Sequence, residues 1–164
     1  MLLRFETAIG ECGLRWSEAG LTRVFLPQSF AEASSGEPPA FAREAAAAIV
    51  GLLDGERRDL REVPLDYAGV PEFHARVFAA LRMVEPGELC SYGDLAKAVG
   101  APNGAQAVGR AMGSNPFPIV VPCHRVLSSS GALHGFSAPG GIVTKRRMLE
   151  IERAPGFTQQ SLFA

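Results

Sequence analysis

A chain of 164 residues with 47% hydrophobic side chains is long enough for a real core, as one compact domain or two small ones. No apolar run is long enough to span a bilayer, and Met1 to Gly10 lacks the apolar centre of a secretory signal, so no membrane partner and a cytoplasmic location are expected. Three widely spaced cysteines, Cys12, Cys90 and Cys123, make neither a disulfide framework nor a C-x-x-C metal site, and His74, His124 and His134 show no ligand spacing.

The net charge of −1 conceals an asymmetry. Residues 1–66 hold seven Arg against eleven Asp and Glu, a net of −4, whereas residues 103–164 hold six basic residues against two acidic ones, a net of +4. The C-terminal third can therefore engage a polyanion. A plain solvated surface would give the same count.

Leu2–Phe5, Gly13–Trp16 and Leu21–Leu26 read as short strands, with Glu18-Ala19-Gly20 as a hairpin turn. Gln28 to Pro39 reads as a loop. Ala40 to Leu53 reads as a helix stopped by Asp54-Gly55, and Arg57 to Asp66 as one more strand and a linker. Residues 1–66 thus form a small α/β scaffold in which Cys12 carries no motif. A second region, 67–164, is expected to be mostly α. Pro71 opens a helix whose apolar face is Phe73, Val77, Phe78 and Leu81, ended by Pro86-Gly87. Ser91-Tyr92-Gly93-Asp94 resembles an N-cap with its acidic partner, starting a short helix, and a second one spans Ala105 to Gly113 after a breaker run. On that second helix Ala105, Val108 and Met112 fall on one side; Gln106, Gly109, Arg110 and Gly113 fall on the other. Small residues alternating with two long polar ones suit contact with a nucleic-acid groove, although a tightly packed helical hairpin gives the same pattern.

The centre of the sequence is Asn115-Pro-Phe-Pro-Ile-Val-Val-Pro-Cys-His-Arg-Val-Leu127. It reads as an apolar strand, Ile119 to Val121, fenced by Pro118 and Pro122, with Cys123 and His124 thrown onto a turn. An imidazole beside a thiol makes thiolate available at neutral pH. The loop Gly135–Gly141 is built for close backbone approach. The last helix, about Ile142 to Arg153, places Ile142, Met148, Leu149 and Glu152 on one arc, and a carboxylate on an inward face needs a partner such as His124 or Arg125.

On Asn115-Pro116, Pro118-Ile-Val-Val-Pro-Cys-His-Arg-Val126, Gly87-Glu-Leu-Cys-Ser-Tyr92, the helix-turn-helix and Gly140-Gly141, the chain resembles the O6-alkylguanine-DNA alkyltransferases. The resemblance covers residues 70–153 closely and the N-terminal unit loosely, where it implies an RNase H-like sheet and helix. It implies a monomeric DNA repair protein that meets double-stranded DNA by the minor groove through the Ala105–Gly113 helix and turns the damaged guanine out of the stack. Ser91, Tyr92, Gln106, Ala107, Arg110 and Arg125 would lie at the DNA. Cys123 would accept the alkyl group. His124, polarised by Glu152 and acting through a water, would take the thiol proton. Tyr92 would hydrogen-bond the departing guanine, and Asn115 would brace the turn. The Cys123 and Val126 carbonyls and the Ser137 N–H would read the base, with Pro118 and Phe136 as walls. The product is a thioether, so the protein would act once, with no cofactor and no metal.

Three departures from the family pattern stand out. Gln106 replaces the usual arginine that fills the vacated stack, with Arg110 one turn further on. Phe136 replaces a pocket tyrosine. Ala138-Pro139 is inserted before the glycine pair. Two other readings compete: an alkyltransferase-like lesion sensor that binds without transfer, and a cysteine hydrolase using a Cys-His-Glu relay.

Overall fold

The computed structural model describes residues 1–128, 130, 131, 133 and 141–157. Strands β1 (Leu2–Thr7), β2 (Gly10–Ser17) and β3 (Gly20–Phe25) form an antiparallel sheet in the order β1-β2-β3. Gly20 sits at φ 152, and a Cβ there would come within 2.6 Å of the Pro64 backbone, so only glycine lets the linker pass this close. Helix α1 (Ala40–Leu53) lays Ala42, Ala45, Ile49 and Leu52 against Cys12, Leu14 and Leu21. Both helix and loop follow the sequence reading. The linker does not: Arg57 to Asp66 supplies no strand, only a single bridge between Leu21 and Leu65. Two hydrogen bonds flank it, Leu21 N–H to the Pro64 carbonyl and Asp66 N–H to the Leu21 carbonyl, both 2.8 Å. Val24 N–H reaches the Pro116 carbonyl (2.9 Å). These bonds cover an edge that would otherwise invite pairing.

Helix α2 (Glu72–Leu81) starts after Pro71 as expected but stops at Leu81, five residues before Pro86. Its C-cap Arg82 donates to the Leu60 and Val63 carbonyls and so ties the linker to the second half of the chain. Strand β4 (Cys90–Ser91) runs into α3 (Tyr92–Ala98) through a full capping box: Ser91 Oγ accepts from Asp94 N–H, and Asp94 Oδ2 accepts from Ser91 N–H. Helix α4 (Ala105–Gly113) buries Val108 and Ala111, while Ala105, expected inside, is exposed. Strand β5 (Val126–Leu127) pairs parallel with β4. Helix α5 (Gly141–Ile151) buries Lys145, Met148 and Leu149. Ile142, expected on the same face, is 46% exposed. One continuous apolar cluster runs from Cys12 in the sheet, through Phe78 and Phe117, to Met148 in α5. Among the described residues no helix is long and apolar enough to cross a membrane.

Candidate active site

Residues 115–125 form no strand. Asn115 organises them instead: its Nδ2 donates to the Val121 carbonyl (3.0 Å) and its Oδ1 accepts from Phe117 N–H (2.8 Å). Ile119 adopts φ 75, so the chain doubles back and Pro118 bridges Val121 within the same loop. Pro122, at φ −81 and ψ 66, makes an inverse γ-turn closed by Cys123 N–H to the Val121 carbonyl (2.8 Å). Cys123-His124-Arg125 then forms one turn of 3-10 helix. The expectation that Cys123 and His124 leave the extended backbone holds; the expected strand before them does not.

Asn115→Ala removes one of the two donors to the Val121 carbonyl and leaves the Phe117 N–H unpaired, and is expected to cost about 1–3 kcal/mol. It is also expected to slow alkylation of Cys123 by iodoacetamide, because the Asn115 side chain is one of the groups that lower the thiol pKa. Urea denaturation and a thiol-labelling time course check both; wild-type values for the two would refute the bracing role.

Glu152 lies one residue beyond α5, on its inward arc, as the wheel predicts. Its side chain is 2% exposed. His124 Nε2 faces Glu152 Oε2 at 2.9 Å, and Arg125 grips both oxygens, Nε to Oε1 and Nη2 to Oε2, each at 2.8 Å. Arg125 Nη1 also donates to the Val84 carbonyl (2.6 Å). Arg125 is thus 5% exposed and spent on interior partners, which corrects the expectation that it contacts DNA. Long side chains of this kind are buried only when paired.

Burial pushes the Glu152 carboxyl up, but His124 and Arg125 pull it down harder, to about 2 from an ordinary 4.5. Burial holds the His124 imidazole below its ordinary 6.5, outweighing Glu152. At neutral pH the ring is therefore uncharged, its Nε2–H donates to the carboxylate, and Arg125 balances the charge. That leaves Nδ1, buried and without a partner among the described residues, as the atom able to accept a proton.

Both shifts act in one direction on stability. A carboxyl depressed in the folded state contributes fully above 4.5 and is lost as pH falls toward 2. A histidine depressed in the folded state lets the unfolded chain bind its proton first, below 6.5. Stability is expected to fall as pH drops through 6.5 and more steeply below 4.5, the Glu152 share being roughly 3 kcal/mol. Urea midpoints measured from neutral pH down to about 3 test this; a flat profile would contradict the charge assignment.

Cys123 is 6% exposed, and burial pushes its thiol up from 9.0. Asn115, Lys145 and the N–H groups of Cys123 and His124 work the other way without prevailing. The sulfur is therefore a protonated thiol at rest, so the thiolate expected at neutral pH forms only when its proton is taken. Lys145 has no place in the sequence reading. It is 1% exposed, donates from Nζ to the Val126 carbonyl (2.7 Å), and is held below its ordinary value by burial, with Cys123 and Cys90 opposing. Its signal was present in the periodicity: Lys145 precedes Met148, Leu149 and Glu152 by three, four and seven residues, on the same stripe.

Tyr92, half-buried at the start of α3, has its phenol pushed up by burial and by Cys123, and its ring edge lies 4.0 Å from where a Cβ on Gly109 would sit. Tyr92 therefore lies between the Cys123 thiol and α4. Gln106 and Arg110 are exposed on α4, with Ala107 half-buried between them, and Ser91 is spent on its cap. Pro118 is half-buried on the loop. The Val126 carbonyl accepts from Lys145, and the Cys123 carbonyl from Val126 N–H. Phe136, Ser137 and Ala138-Pro139 lie outside the described residues.

Residues 72–154 match the family model described as the 6-O-methylguanine DNA methyltransferase DNA binding domain. The chain is 46% identical over 102 residues to a methylated-DNA–protein-cysteine methyltransferase of Mycobacterium tuberculosis strain H37Rv, a match covering 62% of this chain and 60% of that protein's length. It is 37% identical to the protein of the same name from Mycolicibacterium paratuberculosis, over 96% of this chain and 95% of the relative. Its fold is similar to a crystal structure of Mycobacterium tuberculosis OGT in complex with DNA, with a TM-score of 0.79 and 34% identity, covering 93% of this chain and 92% of that one. With a family model matched over residues 72–154 and a relative 37% identical along 95% of its own length, the chain belongs to the O6-methylguanine-DNA methyltransferase family.

Proposed function

We propose that this protein repairs double-stranded DNA by moving the alkyl group of O6-alkylguanine irreversibly to its own Cys123. The reading is carried by His124, fixed by Glu152 through Nε2 with Nδ1 left to accept a proton, immediately beside the acceptor sulfur. In the reaction a bond forms between Sγ and the alkyl carbon while the O6–carbon bond breaks. The thiol proton passes to His124 Nδ1 through a bridging water, and the Tyr92 phenol protonates or hydrogen-bonds the guanine anion as it leaves, a proton lost from Tyr92 being regained from solvent or from His124 in turn. Resting sulfur and imidazole both favour the neutral pair, so the thiol is quiet until a substrate is held against it. The thioether offers water no leaving group, so each molecule acts once and no cofactor enters.

Residues 67–164 bind DNA and accept the alkyl group; residues 1–66 are scaffold, with three antiparallel strands followed by a helix in keeping with an RNase H-like unit. Ser91, Tyr92, Gln106, Ala107 and Arg110 face the minor groove. Pro118 and the Val126 carbonyl belong to the base pocket; the roles expected of Phe136 and Ser137 fall outside the described residues. A cytoplasmic monomer fits three free cysteines. Incubation with an O6-methylguanine duplex should add one methyl mass to the Cys123 peptide and leave guanine behind. Tight lesion binding without that mass would favour a sensor, and repeated turnover on esters would favour a hydrolase.

Gln106 stands where an arginine would fill the gap left by the guanine, and exposed Arg110 lies one turn away on the same face. Arg110→Ala is expected to cost about 1–3 kcal/mol of duplex affinity, and Gln106→Ala less. The reverse order in a binding titration at fixed salt would remove Arg110 from that role.

A further inference from the structure

Behind the active-site loop lies a cavity of about 170 Å³ that the alkyl-transfer reading does not use. Three segments wall it: the linker Arg57–Arg61, Arg82 with Val84–Pro86, and the back of the loop at Ile119, Val120, Pro122 and Arg125. At roughly 30 Å³ per liquid water, it has room for five or so waters, or a small oxyanion with part of its hydration.

The walls carry five arginines against Asp59 and Glu85. Asp59 is taken by Arg61, Arg58 pairs with Glu56, and Arg125 is held by Glu152. Two guanidiniums keep donors to spare. Arg82 spends Nη2 on two carbonyls, and its Nε is buried without a partner. Arg57 is exposed and makes no hydrogen bond or ion pair among the described residues. Its position is nonetheless defined: a Cβ on Gly87 would lie 3.3 Å from Arg57 Nη2 and 3.2 Å from the Glu152 carbonyl oxygen. Of the wall's two carboxylates only Glu85 is not taken up by an ion pair among the described residues, so the spare donors of Arg57 and Arg82 leave the wall net positive, which suits an anion with several oxygens and the forked geometry of arginine.

We propose that this cavity binds a phosphate group, held by Arg57 and Arg82 and touching Arg125. Arg125 is the same side chain that grips both oxygens of Glu152, so the occupant reaches His124 through one intermediary. The site stands whether or not alkyl transfer is the reaction, because its test reads binding and not repair.

The test is a titration of the full chain with inorganic phosphate and, separately, with a dinucleoside monophosphate, each against potassium chloride at equal ionic strength. Chemical shifts of the Arg57, Leu60, Val84 and Arg125 amides and of the Arg125 Nε–H are followed by NMR. A saturable change with phosphate, weakened about tenfold in Arg57→Ala and absent in Arg57→Glu, is the expected result. Both variants alter an exposed side chain without a partner among the described residues, so folding is expected to be kept. Saturation by phosphate alone assigns the source to free phosphate or a phosphomonoester; equal saturation by the dinucleoside assigns it to a nucleic-acid strand. No saturation at tens of millimolar, the same response to chloride, or a response that survives Arg57→Glu would overturn the proposal.

Discussion

In the Cys123→Ser variant, an O6-methylguanine duplex is expected to remain bound and unrepaired, with the 123-containing peptide at its unmodified mass. Serine fits the same space, so the fold and the DNA face are kept. What is lost is an atom that can be ionised there. Burial pushes even the thiol up, and Asn115, Lys145 and two backbone N–H groups only partly offset it. A hydroxyl starts from a far weaker acidity, and His124, itself held below its ordinary value, is too weak a base for it. The loss should be complete on the timescale of wild-type transfer, read by mass spectrometry of digested protein. Methyl found on Cys12 or Cys90 instead would sink the assignment. Neither is a good candidate: burial lifts both thiols to about 11, as it lifts Cys123, but neither is followed by a histidine to take the proton.

Arg125→Met should be the most damaging substitution for stability in the second half of the chain. Methionine preserves much of the volume, so the cost comes from charge and not from a void. Glu152 would be left 2% exposed with only neutral His124 beside it, and the Val84 carbonyl would lose its donor. Breaking a buried pair by removing one partner costs about 3–5 kcal/mol, which lowers the melting temperature of a chain this size by roughly 10 °C. The added change Glu152→Gln should restore part of that loss, because the stranded carboxylate is gone. A drop below about 1 kcal/mol for Arg125→Met would show that the guanidinium is not what keeps Glu152 ionised.

The elements that could be read in advance are those whose cause is local. Helix α1 ends where its alanine run meets Asp54-Gly55, and α3 begins where Ser91 and Asp94 can cap each other. The inward placement of Glu152 followed from helical geometry alone. The misreadings share a different cause: the deciding partner is remote in sequence. Ile119-Val120-Val121 has the composition of a strand, but a strand needs a neighbour, and here the loop bonds only to itself through Pro118 and Asn115. Arg125 carries two expectations, a partner for Glu152 and a contact with DNA, and the first takes up the side chain once Glu152, 27 residues later, is brought against it. Lys145 carries no expectation from the sequence, although its position on the α5 stripe points inward. A buried ammonium becomes plausible only with the Val126 carbonyl in place.

Ile119 holds a left-handed backbone that a β-branched residue avoids, at a cost of about 1–2 kcal/mol. Its side chain is also sealed in the core, a gain of about 1.5–3 kcal/mol for a residue of its size. The two nearly cancel, so the hairpin bend that aims the sulfur is imposed from the protein's interior and not by any preference of the bend's own residues. Repacking of the buried cluster around that isoleucine would therefore shift Cys123 as surely as a change beside it, and tolerance to mutation should be lowest in the interior and not at the surface of the site.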